Sequence, residues 1–150
     1  MSKQKTRFDG LDVLAMTSHL QQTLVGQKVV NIYDGETYGG SSSNGNVLLF
    51  KLAHTGSVAA AAGAGAAGVE DGTSSNSNKS VLLMESGIRF HVTKHMENQH
   101  TSQPGQFAMK LRKHIRGTRL EGVRQLGNLD RVVDFRFGSG DRAHHVILEV

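Results

Sequence analysis

The spacing of apolar residues predicts a helix near the start of the chain. Four apolar side chains follow one another in steps of three and four: Val13, Met16, Leu20 and Leu24. Asp9 stands where an N-terminal cap belongs, and Gly26 stands where a helix commonly ends. The pattern therefore predicts an amphipathic helix over about residues 10 to 25.

Short apolar runs bounded by Gly, Ser and Asn predict β-strands in much of the remaining chain. Five runs carry this signal: QKVVNIYD, NVLLFKLA, RLEGVRQLG, DRVVDFRF and AHHVILEV. The run VLLMESGIRFHVT adds a hairpin that turns at Ser86-Gly87, and Gly138-Ser139-Gly140-Asp141 predicts a tight connection between the last two strands. The first two strands are expected to pair with each other.

The segment FAMKLRKHIRGTRL, residues 107 to 120, predicts a second helix that ends at Gly117. Its predicted apolar face consists of Phe107, Ala108, Leu111 and Ile115. Basic residues flank that face, with Lys110, Lys113 and His114 on one side and Arg112 and Arg116 on the other. The pattern is typical either of a core-packing helix with a solvated cationic border or of a surface for a polyanion.

Positive charge is concentrated in this part of the chain. The whole chain has a net charge of +4, whereas residues 107–131 alone hold seven basic and two acidic side chains, a net charge of +5. Such a concentration is typical of nucleic-acid binding. Aromatic residues for base stacking make up only 5% of the chain, so contacts would be mainly to the phosphates and the shape of a folded RNA.

The composition excludes several classes of protein. The absence of cysteine removes disulfides, thiolate nucleophiles and cysteine zinc sites, and it fits a reducing compartment. No run approaches the roughly 20 apolar residues that span a bilayer, and the start MSKQKTRFDG lacks the apolar core of a signal peptide. The expected location is the cytosol, without a membrane partner.

A low-complexity tract interrupts the strand pattern after Ala53. The composition falls there to the small and polar residues of HTGSVAAAAGAGAAGVEDGTSSNSNKS, which cannot form a packed core. We predict a disordered insertion over about residues 53 to 80. Within it GAGAAG formally matches the dinucleotide fingerprint, but the flanking strand and helix are missing, so no cofactor is expected.

The sequence predicts neither a metal site nor an enzyme active site. Three histidines come closest to ligand spacing: His91, His95 and His100. They fall in a predicted strand and a loop, whereas a zinc site needs three or four converging ligands. Three carboxylates could act as acids or bases only if the fold brought them together: Glu85, Asp130 and Asp134.

Three stretches, in order, resemble one known family: LLMESGIRFHVT, FAMKLRKHIRGTRLEGVRQLG and LDRVVDFRFGSG. They look like the N-terminal NFACT domain of the family that contains fibronectin-binding protein A, nuclear export mediator factor and the tRNA-recruiting subunit of the eukaryotic ribosome quality control complex. The opening RFDGLDVLAMTSHLQQTLVGQKVVNIYD is also similar to that family's start. The resemblance covers nearly all of the chain except about residues 38–46 and 53–80.

The resemblance implies a fold class and a domain organisation. The fold would be α+β, with an antiparallel β-sandwich-like core and flanking helices, similar to the N-terminal domain of formamidopyrimidine DNA glycosylases. Residues 1–150 would form one NFACT N-terminal domain. Because the final VILEV run stops without a turn or a polar tail, the chain is expected to be an N-terminal piece of a longer protein.

The resemblance also implies a function for the intact protein. Such a protein would bind an obstructed large ribosomal subunit that carries peptidyl-tRNA, and would recruit aminoacyl-tRNA for C-terminal tailing of the stalled chain without mRNA. It would support ubiquitination by a Listerin-type E3 ubiquitin ligase in the cytosol, with no DNA partner. The ribosome forms the peptide bonds, so the protein is expected to be a binder and not an enzyme.

Candidate site residues follow from the same resemblance. The family's acidic residue near the start and its Asp-Arg pair, which are linked to tRNA handling, fall on Asp12, Asp130 and Arg131. Phosphate contacts are expected from four residues of the basic helix: Lys110, Arg112, Lys113 and Arg116. Alternatively, a carboxylate in the first turn of a helix is favoured by the helix dipole, and the Asp-Arg pair could simply begin a strand.

Strand parity is a difficulty for the Asp-Arg pair. Arg131 would share the core-facing side with Val133, whereas Asp130 would point the other way. Both can serve one partner only if they lie at the end of the sheet, just after the Gly127-Asn128 turn. The chain also departs from the family at Pro104-Gly105, where Pro-Ser is usual.

Two other functions fit the sequence less well. A DNA glycosylase would follow from the fold similarity, but that family attacks with the amine of an N-terminal proline, and Ser2 follows Met1 here. A surface adhesin would follow from the bacterial family name, but the chain begins without a secretory signal.

Overall fold

The computed structural model of the protein describes residues 5–35, 47–55, 79–94 and 104–150. In these ranges the elements follow in the order α1 (Gly10–Thr23), β1 (Lys28–Asp34), β2 (Val47–Ala53), β3 (Lys79–Glu85), β4 (Arg89–Thr93), α2 (Gln106–Ile115), β5 (Leu120–Gln125), β6 (Val132–Phe137) and β7 (His144–Glu149). A short 3-10 helix, Gly140–Arg142, lies between β6 and β7. No helix in the described ranges has the length and apolar character needed to cross a bilayer.

The described strands form two antiparallel sheets. The first sheet has the order β1-β2-β3-β4, and the second has the order β5-β6-β7. Within each sheet the strands that pair are also consecutive along the chain, which is the commonest arrangement. The predicted α+β class with antiparallel sheets and flanking helices is confirmed, as is the predicted pairing of β1 with β2. The likeness to the glycosylase domain stays a prediction.

Fully buried phenylalanines join the two sheets into one core. Phe50 of β2 stacks on Phe137 of β6, with ring centroids 5.8 Å apart and an angle of 12° between the planes. Phe90 of β4 meets Phe135 of β6 edge to face at 5.7 Å. Each such side chain contributes about 1.5–3 kcal/mol through burial. The core therefore lies between the sheets, in a sandwich-like arrangement.

The first helix begins where the sequence predicts, because its cap is complete. The Asp9 side chain accepts hydrogen bonds from the backbone N–H groups of Leu11 and Asp12, each at 3.0 Å. Asp12 reciprocates by accepting from the backbone N–H of Asp9 at 2.9 Å, which closes a capping box. The helix ends at Thr23, slightly before the predicted end, and Gly26 follows with a φ of +94°.

The second helix also forms where predicted, but Phe107 does not lie on its buried face. Ala108 and Ile115 are buried and Leu111 is partly buried, whereas the side chain of Phe107 is 52% exposed. Phe107 lies about 100° around the helix axis from Ala108. Ala108 occupies the core-facing position of the first turn, so the prediction for Phe107 was wrong.

The predicted connections agree with the structure to different degrees. The β3–β4 hairpin turns at Ser86-Gly87 as predicted. The β6–β7 connection is longer than the predicted tight turn, because a turn of 3-10 helix occupies part of residues 138–143. The predicted insertion is shorter at both ends, since β2 includes Ala53 and β3 begins at Lys79. Most of the insertion, residues 56–78, lies outside the described residues.

Candidate functional site

The predicted tRNA-binding residues lie where the start of α1 meets the turn between β5 and β6. Asp12 is in the first turn of α1, and Asp130 and Arg131 directly precede β6. We refer to residues 9–12 and 127–131 together as the corner. The pair directly precedes β6 at the end of the sheet, which is the position that the sequence required if both side chains are to serve one partner.

Close packing of backbone on backbone holds the two segments of the corner together. A Cβ added at Gly10 would overlap the carbonyl oxygen of Leu129 and lie 2.9 Å from its carbonyl carbon. The side-chain amide of Gln125 donates to the carbonyl oxygens of Gly10 at 2.9 Å and of Asp130 at 2.7 Å. No local sequence signal marks Gly10 or Gln125, because both act through contacts with distant parts of the chain.

Asp12 is part of a charge network at the start of α1. Its carboxylate forms an ion pair with the Lys5 ammonium group in addition to its capping bond, and Lys5 also contacts the Asp9 carboxylate at 2.6 Å. Hydrogen bonding to Asp12 and Asp9 raises the pKa of Lys5. The Lys5 ammonium group, followed by the backbone N–H of Asp12, lowers the pKa of Asp9 to about 2. The network links Lys5 to both carboxylates at the start of α1.

Asp130 and Arg131 present different chemistry side by side. One carboxylate oxygen of Asp130, Oδ1, accepts from the backbone N–H of Arg131 at 2.7 Å. The carbonyl oxygen of Arg131 accepts from the backbone N–H of Val150 at 2.9 Å. Within the described ranges the Arg131 guanidinium has no hydrogen bond or ion pair. The main chain of the pair is therefore anchored, while a carboxylate and a guanidinium remain available to a partner.

The four predicted phosphate contacts, three in α2 and Arg116 at its C-terminal cap, fall into two groups. Arg112 donates from Nε to the carbonyl oxygen of Ile32 at 2.6 Å, and its guanidinium lies 5.3 Å from the centre of the Tyr33 ring. Arg116 donates from Nε to the carbonyl oxygen of Val30 at 3.2 Å. Both arginines thus bind the outer edge of β1. The other two basic residues, Lys110 and Lys113, are exposed.

The corner and the start of α2 face the same end of the first sheet. The Asp34 carboxylate, at the end of β1, accepts from the backbone N–H of Gly105 just before α2 begins. The β3–β4 turn lies at the same end, where the carbonyl oxygen of Ile88 accepts from the N–H of Phe8 at 2.8 Å. These contacts are on opposite edges, β1 and β4, which are roughly 14 Å apart at the usual strand spacing.

A second charged cluster lies on the second sheet. Asp134 of β6 is only 7% exposed. Its carboxylate contacts Nδ1 of His145 at 2.8 Å and Nη2 of Arg124 at 3.6 Å. Alternation along β6 predicts Asp134 on the solvent side, opposite Val133 and Phe135, so its burial could not be predicted. The Asp134 carboxylate thus holds the ring of His145, whereas the guanidinium of Arg124 stays largely exposed.

The other candidate groups are structural or lie elsewhere. Glu85 accepts from Nε of Arg89 at 3.0 Å within the β3–β4 hairpin. His91 lies in β4, whereas His95 and His100 are outside the described residues. Among the residues that the structure describes, no three histidine, aspartate or glutamate side chains are grouped so that they could hold a metal ion.

A family model described as NFACT N-terminal and middle domains matches residues 73–150, more than half of the chain. The chain belongs to the NFACT N-terminal family. The match includes β3 to β7, α2 and the turn of the corner that contains Asp130 and Arg131. The family inferred from the three sequence stretches is confirmed.

Curated relatives extend the similarity of this NFACT chain to its N-terminal part. It is 41% identical over 146 residues to the ribosome quality control complex subunit NEMF homolog of Drosophila melanogaster. It is 35% identical over 146 residues to NEMF of Homo sapiens and 35% identical over 136 residues to ribosome quality control complex subunit 2 of Schizosaccharomyces pombe. The alignments cover 97%, 97% and 91% of this chain, but only 12%, 11% and 10% of the relatives. The NFACT chain thus spans about a tenth of their length.

Solved structures share the fold of the NFACT chain. The N-terminal part of the fibronectin/fibrinogen-binding protein of Streptococcus suis matches with a TM-score of 0.60 at 21% identity, covering 93% of this chain and 42% of that one. The N-terminal domain of the fibronectin-binding protein PavA of Streptococcus pneumoniae matches with a TM-score of 0.59, also at 21% identity, covering 93% and 44%. At this identity the likeness establishes the fold alone.

Proposed function

We propose that this NFACT chain is part of a ribosome quality control factor that acts in the cytosol on the obstructed large ribosomal subunit carrying peptidyl-tRNA. The factor recruits aminoacyl-tRNA and directs mRNA-independent C-terminal tailing of the stalled chain, which supports ubiquitination by a Listerin-type E3 ligase and degradation. Family membership and the names of the relatives support this role. The observation that carries it is the corner, where Asp130 and Arg131 stand on an anchored backbone.

The chemistry of the corner suits recognition of RNA. The guanidinium of Arg131 can form two parallel hydrogen bonds to a phosphate or to a guanine edge. The carboxylate of Asp130 can accept from the amino groups of bases. Asp12 contributes to the site indirectly, because it caps the first turn of α1. The β5–β6 turn packs against that helical turn at Gly10. These groups position tRNA and carry out no covalent step.

Replacing Asp130 and Arg131 with alanine in the full-length protein is expected to abolish tailing and leave the thermal unfolding temperature close to that of the wild type. Asp130 also accepts from the backbone N–H of Arg131, but the backbone of the turn is held in addition by the Gln125 amide and by the N–H of Val150. Tails are measured on a stalled reporter in cells that lack the endogenous factor. Arg136→Ala, an exposed change on β6 outside the corner, is the matched control. Tails of normal length in the double variant would refute the proposal.

The exposed face of α2 is proposed as a second RNA contact, made through phosphates. Changing Lys110 and Lys113 to glutamine is expected to weaken tRNA or large-subunit binding equally across RNA sequences. The slope of log affinity against log salt should fall by about 0.7–0.9 for each phosphate that the variant no longer neutralises. Titrations at several salt concentrations measure this slope.

Two further substitutions separate binding from folding on this face. Arg112→Gln should lower stability in addition to any effect on binding, because Arg112 binds the Ile32 carbonyl of β1. Arg142→Gln, an exposed change between β6 and β7, removes one charge elsewhere and should leave the slope nearly unchanged. A salt slope equal to that of the wild type in the double lysine variant would mean that this face is only solvated.

A further inference from the structure

Leu129 has a backbone conformation that its side chain disfavours. Its φ is +58°, and among the described residues it is the one position with positive φ that is not glycine. For a bulky residue this region is strained, because Cβ comes too close to the following carbonyl oxygen. Glycine or asparagine would take up the same backbone conformation at lower cost. The need for a left-handed turn therefore does not explain a leucine here.

Burial does not explain this leucine either. Leu129 is 47% exposed, and the atoms that it places nearest to Gly10 are its main-chain oxygen and carbon, with only Cβ of the side chain close by. The bridging amide of Gln125 also binds main-chain oxygens only. The strained residue thus presents an apolar side chain to solvent on a fixed backbone. Such conformations gather at functional sites, where the surrounding structure holds them in place.

The residues around Leu129 favour one class of partner. Three consecutive side chains offer different groups to a partner: an apolar group from Leu129, a hydrogen-bond-accepting carboxylate from Asp130 and a guanidinium from Arg131. A nucleotide offers the complements of all three: the face of its base, the amino groups on the base edge and the phosphate. Lys5 pairs with the carboxylates of Asp9 and Asp12, whereas the Asp130 carboxylate has no cationic partner among the described residues and would repel a phosphate. The corner therefore suits an unstacked base better than a continuous sugar-phosphate backbone.

We propose that Leu129 is a third partner-contacting residue of the corner and packs against the face of an unstacked tRNA base. The edge of that base would meet Asp130, and the phosphate of the same nucleotide would meet Arg131. Apolar side chains of this kind are used by nucleic-acid-binding proteins to contact and separate bases. The proposal rests on the proposed function and adds to it the type of contact. It makes the corner a site for one exposed nucleotide.

Two substitutions in the full-length protein distinguish the contribution of the Leu129 side chain to tRNA binding from the contribution of the turn's backbone conformation. Leu129→Gly and Leu129→Asn both tolerate positive φ, so the thermal unfolding temperature should stay constant or rise. Affinity for purified tRNA should fall about tenfold, as expected when one base is no longer contacted. Leu129→Met restores an apolar group at the same strained position and should bind more tightly than either variant. Ile147→Asn, at a residue that is 55% exposed on β7, is the matched control.

The outcomes distinguish this inference from the function on which it rests. Weaker tRNA binding by the glycine and asparagine variants, with stability kept and the Ile147 control unaffected, supports the role of Leu129. Unchanged tRNA binding by these variants, while the Asp130→Ala and Arg131→Ala double variant loses tailing, overturns the inference and leaves the proposed function standing. A loss of stability with tRNA binding unchanged also overturns it, because the leucine would then pack against protein. Normal tailing by every variant would refute both.

Discussion

Replacing Ile115 with alanine is expected to lower the free energy of unfolding by about 2–5 kcal/mol. Ile115 is buried in the last turn of α2, where it joins the core shared by both sheets. Truncation removes apolar atoms from the core and leaves a cavity that the surrounding strands cannot fill completely. Urea titration followed by circular dichroism measures the change.

Phe107 provides the control for this experiment, because it lies on the same helix and carries a larger side chain. Phe107→Ala should change the free energy of unfolding by no more than about 0.5 kcal/mol, as is usual for an exposed position. Equal losses in the two variants would show that α2 packs on the sheet through its Phe107 side as well. A loss confined to Ile115→Ala supports packing of α2 through its Ile115 side.

Replacing Gly10 with alanine is expected to destabilise the protein and displace the corner together. The added methyl group would overlap the main chain of Leu129, and backbone cannot move aside as a flexible side chain can. We expect a loss of about 1–3 kcal/mol, the range for inserting a group into a filled space. Because Asp130 and Arg131 follow Leu129 directly, tRNA binding by the full-length protein should fall as well.

Gly122 offers a matched glycine for the same change. It lies in β5, and a Cβ added there meets no atom within 4 Å. Gly122→Ala should therefore leave the unfolding temperature unchanged or raise it slightly, since alanine loses less conformational entropy on folding. If Gly10→Ala folds and binds tRNA as well as Gly122→Ala does, the close contact between α1 and the turn does not exist in solution.

The elements of the fold could be read from the sequence because their signals are local. The apolar spacing of α1 and its cap at Asp9 lie within a few residues of each other. The β3–β4 hairpin likewise carries its turn signal at Ser86-Gly87. Phe107 shows the limit of such reasoning. Its place on the helix face depends on how α2 is rotated against the sheet, which packing with distant strands decides.

The candidate site was only partly accessible from the sequence. The positions of Asp130 and Arg131 came from the family resemblance, and their place at the end of the sheet followed from the turn before them. The contacts of Gln125 with Gly10 and Asp130 could not be predicted, because the first spans 115 positions. The strained backbone of Leu129 also had no local signal, since leucine rarely adopts positive φ.

The arginine contacts on β1 have a consequence for the order in which the chain can fold during synthesis. Arg112 follows Ile32 by 80 residues, so a ribosome that adds about 5–20 residues per second makes it roughly 4–16 s after the strand. Until then the outer carbonyls of β1 lack the arginine partners that cover them later. An uncovered strand edge can pair with other chains. The outer edge of β1 is therefore open to intermolecular strand pairing in the interval between the synthesis of β1 and that of α2.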